Sequence, residues 1–477
     1  MKKLTLILVL IASAINIICA QDVEPLIKTH WNQIAPYNNL CPKDSTGRRM
    51  MAGCGPIAMA QVVNYLGVRN DSLQLIRDCG VSAFTRYGVD ASSSYTYLCA
   101  NALKKQFGLS NYINVVNYKS LSGIKEFTDI VFNEIRQGRP VIISAKRDDN
   151  DSGHLFILDG IKGNCVHANM GWGGDRDGYY SLENIAGYVQ IQDAIVDISA
   201  ADYVPDQAIV RVYKPGALRA LMIKNGIQKK PHLKIEGSIN KNDVAWLHQL
   251  SMYDDLNKRY RSIKTLDLSN TDMTYLPDSS FFNSGSLAYI KLPHNLHTIG
   301  LAAFKESICL NNVDIPSSVR NIRMDAFARC GNLLDINIPE GVHKVLSGSF
   351  FGCVFLTDVK LPSTIDTIGY YAFANCYRLT RLQIPAATKL IGPKITTGDR
   401  NVEIVIDPNN AYFYAKNGAI YRREDNKSID VPIKYKGDLK PNPYQHLYED
   451  GYAYKTTYKI VNGKKVKLKT VRYKIKQ

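Results

Sequence analysis

Past its first twenty residues this chain of 477 has no apolar run long enough to cross a bilayer as a helix. No transmembrane segment is therefore expected in the mature protein. Its 10 cysteines include no CxxC pair and no zinc-type spacing, so neither a metal nor another cofactor is expected. No recognisable nucleic-acid-binding motif accompanies its positive charge, so nucleic acid is not an expected partner. Apolar residues are not scarce: 45% of the chain is hydrophobic and 21% charged, which argues against general disorder. A chain of 477 residues is too long for one ordinary core, and two or three domains are expected.

The formal net charge of +16 is unevenly placed. Residues 426–477 carry 13 Lys/Arg and 4 Asp/Glu, more than half of the excess. A basic tail of this kind can hold anionic surfaces, but a solvated lysine-rich end is the favoured reading. At the other end, Lys2 and Lys3 precede an apolar run from Leu4 to Cys19, followed by Ala20-Gln21. That is the shape of a secretory signal, residues 1–20, with cleavage expected after Ala20. Ile18 stands where a lipoprotein signal wants a small residue, so a lipid anchor on Cys19 is not expected. Secretion or display at the cell surface follows. Nine cysteines remain after cleavage, an odd number, so at least one is unpaired within the chain.

The second half repeats. Pro293, Pro316, Pro339, Pro362 and Pro385 are spaced by 23 residues, as are Phe304, Phe327, Phe350 and Phe373. Cys330, Cys353 and Cys376 follow the same period, with Ser307 in the equivalent earlier place. In each unit an alternating pair such as Val313 and Ile315 makes a short strand, and proline ends it without needing a ladder hydrogen bond. A second pair such as Val319 and Ile322 follows, then the Ala-Phe pair. Phe327 reads as a core plug and Cys330 as a small buried one. One unit cannot bury its own apolar face, so the units must stack into a solenoid. An imperfect earlier unit begins near Leu266-Asp267-Leu268, one residue out of step.

These repeats resemble the BspA-type leucine-rich repeats of bacterial surface proteins. Pro215-Gly216-Ala217-Leu218 and Leu233 through Leu247 resemble the cap that precedes them; Asp407 through Tyr412 and Asn417 through Tyr421 resemble the closing hairpin. The resemblance spans residues 213–425 and implies binding to a host protein, a glycan or another cell-surface ligand.

The first half carries chemistry. In Gly53-Cys54-Gly55-Pro56 a thiol sits between glycines, one residue before a proline. Met59, Val62, Val63 and Leu66 then fall on one helical stripe, and Gly67 closes it. Pro56 suits a first helical turn, where its missing N–H costs nothing. Cys54 is therefore expected at the mouth of a helix, where unpaired N–H groups and the macrodipole favour thiolate. The flanking glycines would let a substrate backbone approach. A thiolate needs a base, and His30, His154 and His167 are the candidates. His154 heads the apolar run Leu155-Phe156-Ile157-Leu158 after a polar loop. Asn169 could accept from the imidazole and fix its tautomer, and Trp172 could shield that bond from water. His167 is the weaker base, because it lies two residues from Asn169 on the same expected strand. Gln33 offers an amide as an oxyanion donor beside the Cys54 backbone N–H.

Residues 26–200 resemble the streptopain, or C10, family of papain-like cysteine peptidases. The matching pieces are WNQIAPYNNLCP (31–42), AGCGPIAMAQVVNYLG (52–67), LCANALKKQFG (98–108), GRPVIISA (138–145), GHLFILDG (153–160) and HANMGWGGDRDGYYSL (167–182). The resemblance implies Cys54 as nucleophile, His154 as general base, Asn169 as orienting residue, Gln33 as oxyanion donor and Trp172 in support. Three positions depart from the family: Met170 for a tryptophan, Gly55-Pro56 for Val-Ala, and Leu155 for a small residue. Only a short segment separates Ala20 from Gln33, so the family's long inhibitory propeptide is not expected.

The expected architecture is multidomain. A signal peptide (1–20) precedes an α+β papain-like catalytic domain (21–205). A leucine-rich-repeat solenoid with caps (213–425) and a basic, β-rich C-terminal tail (426–477) follow. The expected function is that of a secreted cysteine endopeptidase acting on protein or peptide substrates. The competing readings are a surface adhesin whose peptidase-like half is inactive, and acyl transfer to an amine, where an Asp would more usually stand in place of Asn169.

Overall fold

The computed structural model of the chain describes residues 22–121, 123–148, 153–254, 259–260, 263–396, 402–429, 452–461 and 464–474. The signal-like segment 1–20 and the stretch 430–451 of the basic tail lie outside the described residues. Two compact units divide the chain: the first runs to Asp206 and also takes in Asp254–Tyr260, and the second comprises Gln207–Tyr253 and the chain from Arg261 on.

Three helices open the first unit: α1 (Cys54–Tyr65), α2 (Ser72–Ser82) and α3 (Thr96–Lys105). Strand β1 (Asn114–Asn117) and helix α4 (Ile124–Arg136) follow. Then come β2 (Val141–Arg147), β3 (Gly153–Lys162), β4 (Cys165–Asn169), β5 (Gly178–Tyr180) and β6 (Tyr188–Val196). The strands form one sheet in the order β1-β6-β2-β3-β4-β5, every neighbour antiparallel.

The sheet is covered on both faces, and the period of two along each strand decides which residue meets which layer. Ile142, Ile157 and Ile195 pack with α1 and its neighbours, whereas Ile143, Phe156, Leu158 and Ala194 pack with Phe127, Val131 and Ile135 of α4. Burial on two faces makes β3 buried from His154 to Ile161, which is why it reads as a continuous apolar run. Helix α1 is more enclosed than its stripe implies. Every residue from Gly55 to Val63 is buried, so it is the central helix of its layer.

In the second unit the solenoid runs through short parallel strands. One sheet of six carries Tyr275–Leu276, Thr298–Ile299, Asn321–Ile322, Lys344–Val345, Thr367–Ile368 and Leu390–Ile391. Partners in this sheet are all 23 residues apart, whereas Leu266, in a separate sheet, pairs with Ile290, 24 residues on. The odd residue of the first unit is therefore absorbed between Asp267 and Tyr275, and the phenylalanine register extends back to Phe281. Phe281, Phe304, Phe327, Phe350 and Phe373 stack with centroid spacings of 5.6, 5.2, 5.3 and 5.4 Å, all fully buried.

The repeat cysteines are buried, as small core residues would be, yet they are not merely apolar. Cys330, Cys353 and Cys376 donate S–H to the carbonyls of Phe304, Phe327 and Phe350, and Ser307 Oγ makes the same bond to Phe281. All nine described cysteines are free thiols. In the tail, strands Tyr452–Val461 and Lys464–Lys474 pair as an antiparallel hairpin.

Candidate active site

Cys54 is the first residue of α1, half-buried, with Gly53 before it at φ 94°. That left-handed value favours glycine. Gly55 has a different reason to be glycine. A Cβ there would stand 2.9 Å from Ser94 Cβ and 3.1 Å from Cys99 Sγ, so close internal packing, rather than substrate access, excludes a side chain.

The helix mouth does not make this thiol acidic. Burial pushes the Cys54 thiol up, and the N–H groups of Leu155, Gly55 and Cys54 itself only partly offset it. Desolvation is a tertiary property and here outweighs the helix terminus. The Leu155 N–H placed against the Cys54 sulfur also brings the nucleophile beside the strand position next to His154.

His154 lies near the start of β3, 5% exposed. Its Nε2 is 2.8 Å from the Met170 carbonyl. A carbonyl only accepts, so Nε2 carries the proton and Nδ1 is left with its lone pair. Trp172 stacks on the ring at 4.6 Å, and Phe156 and Tyr188 each lie 5.5 Å away. This enclosure pulls the imidazole down to about 4, the Met170 hydrogen bond opposing but not overcoming the burial.

Asn169 does not accept from His154 here. Its Oδ1 takes the Gln61 amide at 3.0 Å and the Gly171 N–H at 3.2 Å, and its Nδ2 donates to the Thr29 carbonyl at 2.8 Å. With those bonds made, the orienting acceptor is the main-chain carbonyl of the next residue. Asn169 nevertheless acts on that carbonyl: Gly171 N–H belongs to the same peptide group as Met170 C=O.

Gln61, buried in α1, ties this turn to the strand of chain before the nucleophile. Its Oε1 accepts from Thr29 Oγ1 at 3.0 Å and from the Trp31 N–H at 3.1 Å. Gln33 follows in that segment, buried, its carbonyl accepting from the Ala52 N–H at 2.9 Å. Its carboxamide makes no hydrogen bond within the described residues. The other two histidines are engaged elsewhere. His167 Nδ1 lies 2.7 Å from the fully buried Asp159, and His30 Nδ1 lies 2.8 Å from Asp177. Gln61, Asp177 and the Met170 carbonyl escaped the sequence reading. A lone amide inside the apolar run of α1 was the available signal for Gln61; a main-chain carbonyl has none. Among the described residues no cluster of three or more His, Cys, Asp or Glu side chains is placed to hold a metal ion.

Residues 31–71 and 66–180 match the Peptidase C10 family, and residues 260–410 match six copies of the BspA type leucine rich repeat region. The chain joins a C10-family peptidase domain to BspA-type leucine-rich repeats. Streptopain of Streptococcus pyogenes serotype M28 is 23% identical over 34% of this chain and 58% of its own length. The chain thus spans little more than half of the curated relatives it matches. Among solved structures, active wild-type interpain A of Prevotella intermedia, a cysteine protease, is similar to the C10 domain. It is 28% identical, covering 36% of this chain and 94% of its own, with a TM-score of 0.33. A leucine rich cell surface protein of Faecalibacterium prausnitzii A2-165 is similar to the repeats. It is 27% identical, covering 35% of this chain and 44% of its own, with a TM-score of 0.32. No helix among the described residues of the C10 domain or the repeats is long and apolar enough to cross a membrane.

Proposed function

We propose that the C10 domain is a cysteine endopeptidase that cleaves protein or peptide substrates through an acyl-enzyme. The observation that carries this reading is the tautomer of His154: held through Nε2 by the Met170 carbonyl, it keeps Nδ1 as the basic nitrogen, on the residue before the Leu155 whose N–H lies against the Cys54 sulfur.

The Cys54 sulfur attacks the peptide carbonyl carbon as its proton passes to His154 Nδ1. The oxyanion that forms is met by the Cys54 N–H at the start of α1 and by the Gln33 amide. Collapse expels the amine, which takes the proton from His154 and leaves a thioester on Cys54. Water, deprotonated by the same nitrogen, adds to the thioester and releases the acid, and the proton returns to sulfur. Burial pushes the thiol up and the imidazole down, so the resting pair is neutral and charge appears together with the oxyanion that stabilises it. Trp172 keeps water off the imidazole face throughout.

The repeats supply a binding surface for a protein, glycan or cell-surface ligand, which would hold the peptidase near its substrate. Residues 1–20 serve as the export signal, and N-terminal sequencing of the secreted protein should begin at Gln21. The test of the enzyme is labelling with an epoxide inhibitor of thiol proteases, with casein hydrolysis alongside. Wild type should be labelled at Cys54 and active; Cys54→Ala should be neither. Folded wild-type protein that takes no label at Cys54 would sink the reading.

A further inference from the structure

The carbonyl that holds His154 sits at a turn with no regular secondary structure, between the end of β4 and the glycines at 171, 173 and 174. A carbonyl in such a turn orients an imidazole only if its own peptides are fixed. Two side chains fix them. Asn169 Oδ1 accepts from the Gly171 N–H, at the far end of the peptide group whose carbonyl meets His154. Asp177 Oδ1 accepts from the Met170 N–H at 2.7 Å, on the peptide before it. The second Asp177 oxygen lies 2.8 Å from Nδ1 of His30, and the carboxylate is 7% exposed while His30 is 53% exposed.

Charge matters here as well as geometry. Around His154 lie Trp172, Phe156 from β3, Tyr188 from β6 and the Met170 carbonyl, with the Cys54 sulfur against the N–H of the next residue, Leu155. Beyond them, the Arg147 guanidinium lies 5.8 Å from the Tyr188 ring and that of Arg176 5.9 Å from the Trp172 ring. Burial already disfavours the imidazolium that turnover requires. The Asp177 carboxylate is a negative group hydrogen-bonded to the main chain that holds the imidazole.

We propose that Asp177 is a positioning residue for His154: it clamps the Met170 main chain that orients the imidazole, and its charge supports the imidazolium formed during catalysis. This rests on the peptidase reading above. His30, on the outer oxygen, fixes the carboxylate's orientation. Hydrogen bonds in series polarise one another, so the charge is felt along the chain of main-chain dipoles.

The test compares wild type with Asp177→Asn and Asp177→Glu in the full chain, each checked for folding by its thermal transition. Asn keeps an oxygen for the Met170 N–H but removes the charge; Glu keeps the charge at a longer reach. With a short peptide substrate, kcat of Asp177→Asn should fall about tenfold with KM unchanged, the size of one lost charge-assisted hydrogen bond. Its acid limb, which reports protonation of the His154 base, should move down by about half a pH unit or more. Asp177→Glu should lose kcat while keeping the limb in place. A folded Asp177→Asn with wild-type kcat, or with lower kcat and an unmoved limb, overturns the proposal. A second readout does not need activity. In a Cys54→Ala background the NMR titration midpoint of His154 should fall when Asp177→Asn is added, and an unchanged midpoint overturns the proposal even if wild type hydrolyses nothing. Wild type that neither cleaves peptide nor takes label instead sinks the peptidase reading itself.

Discussion

The indole of Trp172 lies over the imidazole of His154 with centroids 4.6 Å apart and planes 22° from parallel. The stack is part of the enclosure that pulls His154 down to about 4. Trp172→Ala opens that face to water, which solvates the imidazolium better than the neutral ring. The His154 midpoint should therefore rise toward its ordinary value near 6.5. Because the ring also loses its packing, kcat should fall about tenfold or more. NMR titration of His154 in Cys54→Ala, with and without Trp172→Ala, checks the first claim. A midpoint that stays put would mean that Phe156 and Tyr188 alone enclose the ring.

The same shift makes a statement about stability. Between about 4 and 6.5 the unfolded chain binds a proton at His154 and the folded chain does not. The unfolded state therefore gains protons as pH falls through this window, and folding free energy drops with it. The drop at this site is at most about 3–4 kcal/mol, from about 1.4 kcal/mol per pH unit over the window. His154→Gln removes the titrating group, so its stability should depend less on pH across that window. Denaturant unfolding at pH 4 and pH 6.5, for Cys54→Ala with and without His154→Gln, measures the difference. Equal losses in both would place the acid sensitivity elsewhere.

What the sequence made legible was whatever has a letter and a period. The phenylalanine spacing was readable because each residue occupies one layer of a stack, and the layer repeats with the chain. Cys54, His154 and Trp172 stood out in the sequence because glycines and turns set them apart from the apolar runs around them. The Met170 carbonyl was not, because a main-chain atom looks the same at every residue. Asn169 drew notice as a partner for the imidazole, but its bonds go to Gln61 and Thr29, which meet it only when α1 packs beside β4. The thiol's direction of shift was misread for a related reason: a helix terminus is local, whereas burial of Cys54 depends on residues far away in the chain. Gly55 likewise looked like an opening for substrate until Ser94 and Cys99 were placed against it.

Thiol accessibility should sort the cysteines by their surroundings. Cys330, Cys353 and Cys376 are fully buried, and burial holds Cys353 up at about 12. Cys54 is half-buried at a helix start. Alkylation of the native protein with iodoacetamide at pH 8, mapped by mass spectrometry, should modify Cys54 while the three repeat thiols stay unmodified until denaturant is added. Modification of Cys353 as fast as Cys54 in folded protein would contradict the buried ladder.

The phenylalanine stack concentrates the stability of the repeats at one layer. Phe327 is fully buried, with Phe304 on one side at 5.2 Å and Phe350 on the other at 5.3 Å. Phe327→Ala removes two ring contacts and leaves a cavity that stacked neighbours cannot close. The expected loss is about 3–5 kcal/mol. The adjacent thiol should behave differently. Cys353 donates to the Phe327 carbonyl, and Ser307 makes that bond in its own repeat, so Cys353→Ser should cost about 1 kcal/mol or less while Cys353→Ala leaves the carbonyl without its donor. Denaturant unfolding of the three variants, followed by a probe of the repeat unit, ranks them. A Phe327→Ala variant no less stable than Cys353→Ser would show that the stack follows the solenoid rather than holding it together.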